Sequence, residues 1–169
     1  GDQVLKNGSL NGEGNDTFAT PLDIEEASLV GGDGAETLNA TDFDNATTLV
    51  GNGGNHTLKG GAGPSSLDGG SGDDSLLGRD GGDALIGGDG SDTLQGGVGS
   101  DLYRFDSVSA GAGFEHDRIE EAASPGASDV DAITFANLDA TTPVTVNLDA
   151  AFLCGSKPIA LEQTGNRPP

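Results

Sequence analysis

The sequence is poor in the residues that build large cores and covalent cross-links. It has no Met and no Trp, and apolar residues make up only 33% of its 169 residues and aromatic residues 4%. This composition argues against a large conventional core. The single cysteine, Cys154, cannot form a disulfide within the chain, so the fold does not rest on a cysteine framework.

Basic residues and long apolar runs are also scarce. Only 7 Lys and Arg stand against 28 Asp and Glu, which gives a net charge of −21. This balance argues against nucleic acid or anionic lipid as partners and favours cations. No apolar run is long enough for a membrane span, and the chain does not open as a signal peptide does. Low hydrophobicity with high net charge is also typical of disordered chains.

Glycine is abundant instead, with 30 residues, and much of it follows a nine-residue repeat. A large apolar residue recurs at every ninth position from Leu49 to Tyr103, which divides 51–104 into six nonapeptides. Weaker copies lie upstream in GGDGAETLN (31–39) and NGEGNDTFA (11–19). Two steps upstream span eleven residues, and we expect extra residues such as Ala40 and Thr41 to bulge from a loop.

The last four nonapeptides carry both Gly at the fourth position and Asp at the sixth. They resemble the GGxGxDxUx repeat of the RTX, or hemolysin-type, calcium-binding family. The resemblance is strong over 51–104 and weaker back to about residue 11. It implies an all-β fold, a right-handed parallel β-roll. Each unit would form a six-residue loop and a three-residue strand, and two units would complete a turn. The four sixth-position residues are Asp74, Asp83, Asp92 and Asp101.

The residue types suit this geometry on physical grounds. Glycine permits the tight loops that turn carbonyl oxygens towards an ion. In a strand such as Thr93-Leu94-Gln95, alternation sends the leucine to the inner face. The outward seventh position is mostly Thr or Ser, an ordinary strand surface. An ice-facing role for this column is disfavoured, because Ala84 and Leu102 interrupt it.

Such a roll has a thin core and repelling carboxylates. Sixth-position carboxylates of stacked turns would lie one strand spacing apart, roughly 5 Å, where like charges repel. Calcium would compensate for both the thin core and the carboxylate repulsion, because it accepts about six to eight oxygen ligands from carboxylates and carbonyls alike. Magnesium requires a tighter octahedron, and zinc prefers His and Cys. We therefore predict several Ca²⁺ ions, roughly two to five, as the cofactor, and no roll without a cation.

Stacking of alternate units predicts two principal sites, one with Asp74 and Asp92 and one with Asp83 and Asp101. The resemblance implies that one loop offers the carbonyls of its first and third positions and its neighbour those of its second and fourth. The expected carbonyl ligands are Gly69, Ser71, Gly88 and Gly90 in the first site, and Gly78, Asp80, Gly97 and Gly99 in the second.

Several positions depart from the pattern. Arg79 replaces the second glycine of its unit, which leaves a carbonyl but strains the loop. Ser65 and His56 replace the sixth-position Asp, so their pairs with Asp83 and Asp74 should be weaker or absent. His56 is interpreted as a solvated loop side chain rather than a transition-metal ligand. Looser sites remain open at Glu36 and Asp16, and solvated carboxylates are expected at Asp33, Asp73, Asp80 and Asp89.

Four regions are predicted along the chain. Residues 1–50 form degenerate N-terminal β-roll turns, 51–104 the RTX roll, 105–153 a C-terminal β cap, and 154–169 a flexible tail. The opening residues 1–5 look like the close of a preceding repeat, which favours a piece of a larger polypeptide. Within the cap, alternation predicts strands at 129–135 and 143–148, and a solenoid end requires such a cover.

The sequence offers little to support an enzyme. HExxH is absent, the two histidines lack metal-ligand spacing, and Glu115-His116-Asp117 reads better as a charged loop than as a general base. Cys154 has no activating partner. The predicted function is a calcium-binding module of a secreted, extracellular bacterial protein, exported by a type I channel and folding on meeting calcium. We expect a monomer. An adhesin or interaction segment and an accessory domain of a secreted hydrolase remain alternatives.

Overall fold

The computed structural model describes residues 26–105, 116–120 and 129–136, and the backbone of four further strands at 3–6, 9–12, 14–17 and 159–164. All regular structure in these residues is β, so none of them belongs to a helix that could cross a membrane. The strands are β1 (Gln3–Lys6), β2 (Ser9–Gly12), β3 (Gly14–Thr17), β4 (Glu26–Val30), β5 (Thr37–Asp42), β6 (Ala46–Val50), β7 (Thr57–Lys59), β8 (Ser65–Ser71), β9 (Ser75–Asp80), β10 (Ala84–Asp89), β11 (Thr93–Val98), β12 (Leu102–Phe105), β13 (Arg118–Ile119), β14 (Asp131–Ala136) and β15 (Ile159–Thr164).

From β4 to β14 the strands alternate between two parallel sheets, as a β-roll requires. One sheet runs β5, β7, β9, β11, β13, and the other runs β4, β6, β8, β10, β12, β14, β15. Residues at the eighth position of the repeat stack two units apart: Leu67 pairs with Leu85, and Leu85 pairs with Tyr103. The predicted parallel β-roll with two nonapeptides per turn is confirmed.

The core is a single column of side chains from each sheet. In the nonapeptides from 51 to 104 the eighth position supplies this side chain, and each such residue is at most 1% exposed, as Leu85 and Tyr103 illustrate. Alternation along the strand keeps the seventh and ninth positions at the surface. Each unit therefore buries one large apolar side chain, and the core stays thin.

The hydrogen-bonded strands are longer than the three residues expected. In β10 and β11 the ladder continues from the seventh position into the third position of the next unit, so that Gly88 pairs with Gly70 and Asp89 with Ser71. Glycines at the unit junction lack side chains, so consecutive turns can stack their backbones closely there. Only the fourth to sixth positions remain as connecting loop.

The extra residues of the eleven-residue step do not bulge outward, so that expectation was wrong. Ala40 lies within β5 and is fully buried, and Phe43 is 1% exposed within the core. The Phe43 N–H donates a hydrogen bond to the Ala40 carbonyl oxygen at 2.9 Å, which closes a turn. The insertion brings an aromatic side chain inside, where burial is favourable by about 2–3 kcal/mol.

The N-terminal strands also differ from the predicted degenerate roll turns. β1 pairs with β5 in parallel, but β2 and β3 form antiparallel pairs. The nonapeptide 11–19 therefore does not stack as a roll unit. Asp16 lies in β3, where it pairs with Leu10 of β2, and not in a loop. Antiparallel strands need only a tight turn between them, and Gly12 and Gly14 pair beside it.

At the other end, strands continue the roll beyond the nonapeptides. β13 pairs with β11, β14 pairs with β12, and the rings of Phe105 and Phe135 stack with centroids 5.3 Å apart. The strand predicted at 129–135 is confirmed as β14. β15 pairs with β14 inside the predicted flexible tail, so part of that tail is a strand. The strand predicted at 143–148 and Cys154 lie outside the described residues.

Candidate metal centre

Sixth-position residues stack into one column on each flank of the roll. Each column mixes uncharged and acidic members along its length, and its carboxylates concentrate at the end nearer the C-terminus. Column one contains Glu36, His56, Asp74, Asp92 and Asp117, and column two contains Thr47, Ser65, Asp83, Asp101 and Asp131.

Carboxylates in these columns are tied to the turn below them by hydrogen bonds. The N–H of Asp74 donates to Oδ1 of Asp92 at 2.8 Å, and the N–H of Asp83 donates to Oδ1 of Asp101 at 2.9 Å. Both predicted aspartate pairs are therefore brought together. The same bond joins the N–H of His56 to Asp74 at 2.6 Å and that of Ser65 to Asp83 at 2.7 Å.

The second oxygen of three of these carboxylates is buried without a hydrogen bond. Asp74, Asp83 and Asp92 are 3%, 2% and 1% exposed, and the described residues offer their Oδ2 atoms no partner. In each unit this oxygen lies beside the first-position glycine, where any side chain would overlap it. An ionised oxygen held this way is unfavourable unless a cation compensates it.

Burial also changes the acidity of these groups. Burial raises the pKa of Asp83 to about 7, with a further increase from the charge of Asp101. Burial likewise raises the pKa of Asp92 to about 7, and the charges of Asp117 and Asp74 add to it. The N–H bonds to these carboxylates oppose the shift without cancelling it. The carboxylates of Asp83 and Asp92 thus hold a proton more tightly than isolated aspartates do.

Backbone carbonyls line the inter-loop space, which we define as the gap between two stacked loops of one column. Between loops 69–74 and 87–92, the Gly70 and Gly72 oxygens point up to Gly88 and Gly90. The Gly87 oxygen points down to Gly69, and the Asp89 oxygen accepts the Gly72 N–H at 2.8 Å. Four carbonyl oxygens therefore line the gap between these two loops. Between loops 78–83 and 96–101 the corresponding oxygens belong to Arg79, Gly81, Gly96 and Val98.

This arrangement places the predicted carbonyl ligands one space away from where they were expected. First- and third-position carbonyls point towards the preceding turn: that of Ser71 accepts the Gly54 N–H at 2.8 Å. Second- and fourth-position carbonyls point towards the following turn, because carbonyl directions alternate along a strand. Accordingly the carbonyls of Gly69, Ser71 and Gly78 face the turns below.

The donor set fits a hard cation that accepts oxygen ligands. Carbonyl and carboxylate oxygens are the ligands of Ca²⁺, which tolerates irregular geometry. The described part of the chain holds no group of three or more His, Cys, Asp or Glu side chains that could bind a metal by themselves. A site here would therefore draw mainly on backbone oxygens, completed by the aspartates of the column.

Towards the N-terminus the columns lose their aspartates. His56 is 2% exposed, so the expected solvated side chain was wrong; its Nε2 atom lies 2.9 Å from the Gly53 oxygen. The Thr47 hydroxyl donates to Ser65 Oγ at 3.0 Å, and the Ser65 hydroxyl donates to the Gly63 oxygen at 3.2 Å. Neutral hydrogen bonds thus occupy positions that aspartates fill in later turns.

Arg79 confirms the strain expected of a side chain at the second position. Its φ is +87°, in the left-handed region that favours glycine. The side chain has a partner, because Nη1 donates to the Thr41 oxygen at 2.7 Å. A charged hydrogen bond therefore links β9 to β5 across the intervening turn.

Two sixth-position residues escaped the sequence analysis. The N–H of Asp92 donates to Oδ1 of Asp117, and that of Asp101 to Oδ1 of Asp131, both at 3.0 Å. The available signal was the tripeptide Asp-x-Ile, in 117–119 and 131–133, which repeats the sixth to eighth positions without the glycines. Asp73 is exposed, as expected of a solvated carboxylate, and its Oδ1 also accepts the Ser91 N–H at 2.9 Å.

The fold and these columns define a parallel β-roll built to hold cations between its turns. Comparison with protein families agrees: the family described as RTX calcium-binding nonapeptide repeat matches residues 50–85 and 77–107, in 4 copies. These residues, about a third of the chain, are RTX repeats, and such repeats bind Ca²⁺. The family generally belongs to secreted bacterial proteins. Comparison with curated proteins and with solved structures found no match.

Proposed function

We propose that this chain is a calcium-triggered folding module, unstructured in a calcium-poor compartment and folded as a roll when calcium binds. The observation that carries the proposal is the buried Oδ2 atoms of Asp74, Asp83 and Asp92, which no hydrogen bond satisfies in the described residues. Ionised carboxylates in this position oppose folding, whereas a bound cation stabilises the same arrangement.

The coupling follows from where the ligands lie. Each inter-loop space takes oxygens from two loops that are 18 residues apart in sequence, as Asp74 and Asp92 are. An unfolded chain does not hold these oxygens together, so ions bind mainly to the stacked state and shift the equilibrium towards it. Because each loop contributes to two successive spaces, one bound ion prepares the next site, and folding should be steep in calcium concentration.

The cellular consequence is folding after export. A chain with a net charge of −21 and one buried leucine per unit stays extended at low calcium, which suits passage through a type I channel. Extracellular calcium then supplies the missing interactions. The repeats are a structural, not a catalytic, unit of secreted proteins, and we assign no reaction to this chain. We propose that it acts as a monomeric unit within a larger polypeptide.

Circular dichroism during a calcium titration tests the coupling. We expect a disordered spectrum in excess chelator, a cooperative change to β structure as Ca²⁺ is added, and reversal by chelator. Mg²⁺ at the same concentrations is the control, and it should give little β structure because its octahedral geometry is stricter. A β spectrum that persists in excess chelator would falsify calcium-coupled folding.

The alternatives concern what the module serves. An accessory domain of a secreted hydrolase and a segment of an adhesin both require the same calcium-dependent roll. The gene surrounding residues 1–169 distinguishes them, because a catalytic domain supports the first and an array of further surface domains supports the second.

A further inference from the structure

The ligand pattern of each column continues past the nonapeptides. Second- and fourth-position carbonyls point towards the following turn wherever that turn is a nonapeptide, as those of Gly70 and Gly72 do. The last loop of column one, 87–92, repeats this backbone, with φ of +105° at Gly88 and +137° at Gly90. By analogy, its second- and fourth-position carbonyls point away from the loop 69–74.

That segment docks in the register of a further roll unit. The Arg118 N–H donates to the Asp92 oxygen at 2.7 Å, just as the Thr93 N–H donates to the Asp74 oxygen at 2.9 Å. Ile119 pairs with Leu94 at the core position. Asp117 consequently stands at the sixth position, although it follows Asp92 by 25 residues rather than 18.

Two carboxylates, those of Asp92 and Asp117, lie next to each other at this end of column one. Oδ1 of Asp117 accepts the Asp92 N–H at 3.0 Å, while Oδ2 of Asp92 is buried and has no hydrogen-bond partner in the described residues. Asp117 itself is exposed, unlike the buried sixth-position aspartates of the nonapeptides.

Column two ends in the same way. Asp131 is 1% exposed, and its Oδ1 accepts the Asp101 N–H at 3.0 Å across 30 residues of sequence. Ile133 pairs with Tyr103 and is buried at the core position. By the same pattern, the carbonyls of Gly97 and Gly99 point away from the loop 78–83.

We propose that each column ends in an additional calcium site, shared between its last nonapeptide loop and a C-terminal aspartate. One site takes Asp92, Asp117 and the carbonyls of Gly88 and Gly90; the other takes Asp101, Asp131 and the carbonyls of Gly97 and Gly99. Both aspartates lie beyond residue 107, where the family match ends. The inference rests on the proposed calcium-dependent function, and it makes the C-terminal cover itself dependent on the ion.

Counting bound Ca²⁺ by equilibrium dialysis and native mass spectrometry tests this on the full 169-residue chain. Asp117→Asn and Asp131→Asn should each bind one ion fewer than the unsubstituted chain, and the double variant two fewer. Asparagine keeps an oxygen that can accept the N–H bond, so the backbone contact survives. Glu120→Gln is the matched control, because Glu120 is exposed and its carboxylate pairs with the Arg118 guanidinium at 3.0 Å. The control should bind the full number.

An unchanged count in both aspartate variants overturns the terminal sites while leaving calcium-coupled folding intact. Absence of calcium binding by the unsubstituted chain would instead contradict the proposed function itself. The two failures are therefore distinguishable.

Terbium luminescence gives a second readout that does not depend on counting. Tyr103 is the only tyrosine and the chain has no tryptophan, and its hydroxyl oxygen accepts the Gly96 N–H at 2.7 Å beside Asp101. Tb³⁺ excited through Tyr103 therefore reports on ions near Asp101. Asp131→Asn should lower this emission relative to Glu120→Gln, and equal emission from the two variants rules out the column-two site.

Discussion

Individual glycines in this roll differ in what they permit. Gly90 has a φ of +137°, and a side chain there would overlap the Gly72 carbonyl of the turn below. Gly34 occupies the same fourth position in the unit 31–39, yet no heavy atom lies within 4 Å of where its Cβ would be. The same residue at the same repeat position is thus required in one turn and replaceable in another.

Gly90→Ala and Gly34→Ala form a matched pair for this difference. Gly90→Ala should destabilise the calcium-loaded roll by about 1–3 kcal/mol, because alanine is strained at positive φ and displaces a stacked carbonyl. Gly34→Ala should change stability by less than about 0.5 kcal/mol. Thermal unfolding at saturating calcium measures both, and equal losses would mean that the loops do not stack as described.

The aspartates of the repeats likewise differ from one another, here in how deeply they are buried. Asp92 is buried between two inter-loop spaces, whereas Asp33 is exposed at a third position. Asp92→Asn keeps the acceptor for the Asp74 N–H but removes the charge, so we expect calcium affinity to fall by at least about tenfold, or ~1.4 kcal/mol. Asp33→Asn should lower it by less than about twofold. Isothermal titration with Ca²⁺ compares them, and equal effects would contradict the assigned register.

At the scale of strands, register was predictable from the nine-residue spacing alone. One-residue slippage would turn every leucine outward, so the pattern fixes which residues face the core. Carbonyl direction was not predictable, since a residue pattern says nothing about which neighbour a peptide oxygen faces. The strand β15 was missed because 154–169 lacks any repeat, and Asp117 and Asp131 were missed because their units lack glycines.

Arg79 forms a different kind of link between strands. Arg79, at the second position of its unit, joins β9 to the Thr41 carbonyl of β5 while its backbone is strained at φ +87°. Arg79→Ala removes the bond and keeps the strain, whereas Arg79→Gly removes both. We expect Arg79→Ala to be less stable than Arg79→Gly by about 1 kcal/mol. Chemical denaturation at saturating calcium provides the comparison, and the reverse order would show that the backbone is not strained there.

At the scale of the whole molecule, protons and calcium compete for the same buried oxygens. Burial raises the pKa of Asp83 and Asp92 to about 7, from a usual value of 3.8. The folded roll therefore binds these protons more tightly than the unfolded chain does. Their contribution to stability is fully present below about pH 4 and is lost as the pH rises through about 7.

Opposite pH responses should follow with and without calcium. In chelator, lowering the pH from about 8 to about 5 should increase β structure, because protonation neutralises the buried carboxylates. With calcium present, the same change should weaken binding and raise the midpoint concentration, because each ion must displace protons. Working at about pH 5 also stays above the isoelectric point of about 4.1. Circular dichroism against pH under both conditions measures this, and a calcium midpoint that does not move between pH 8 and 5 would show that Asp83 and Asp92 are not the groups the ions neutralise.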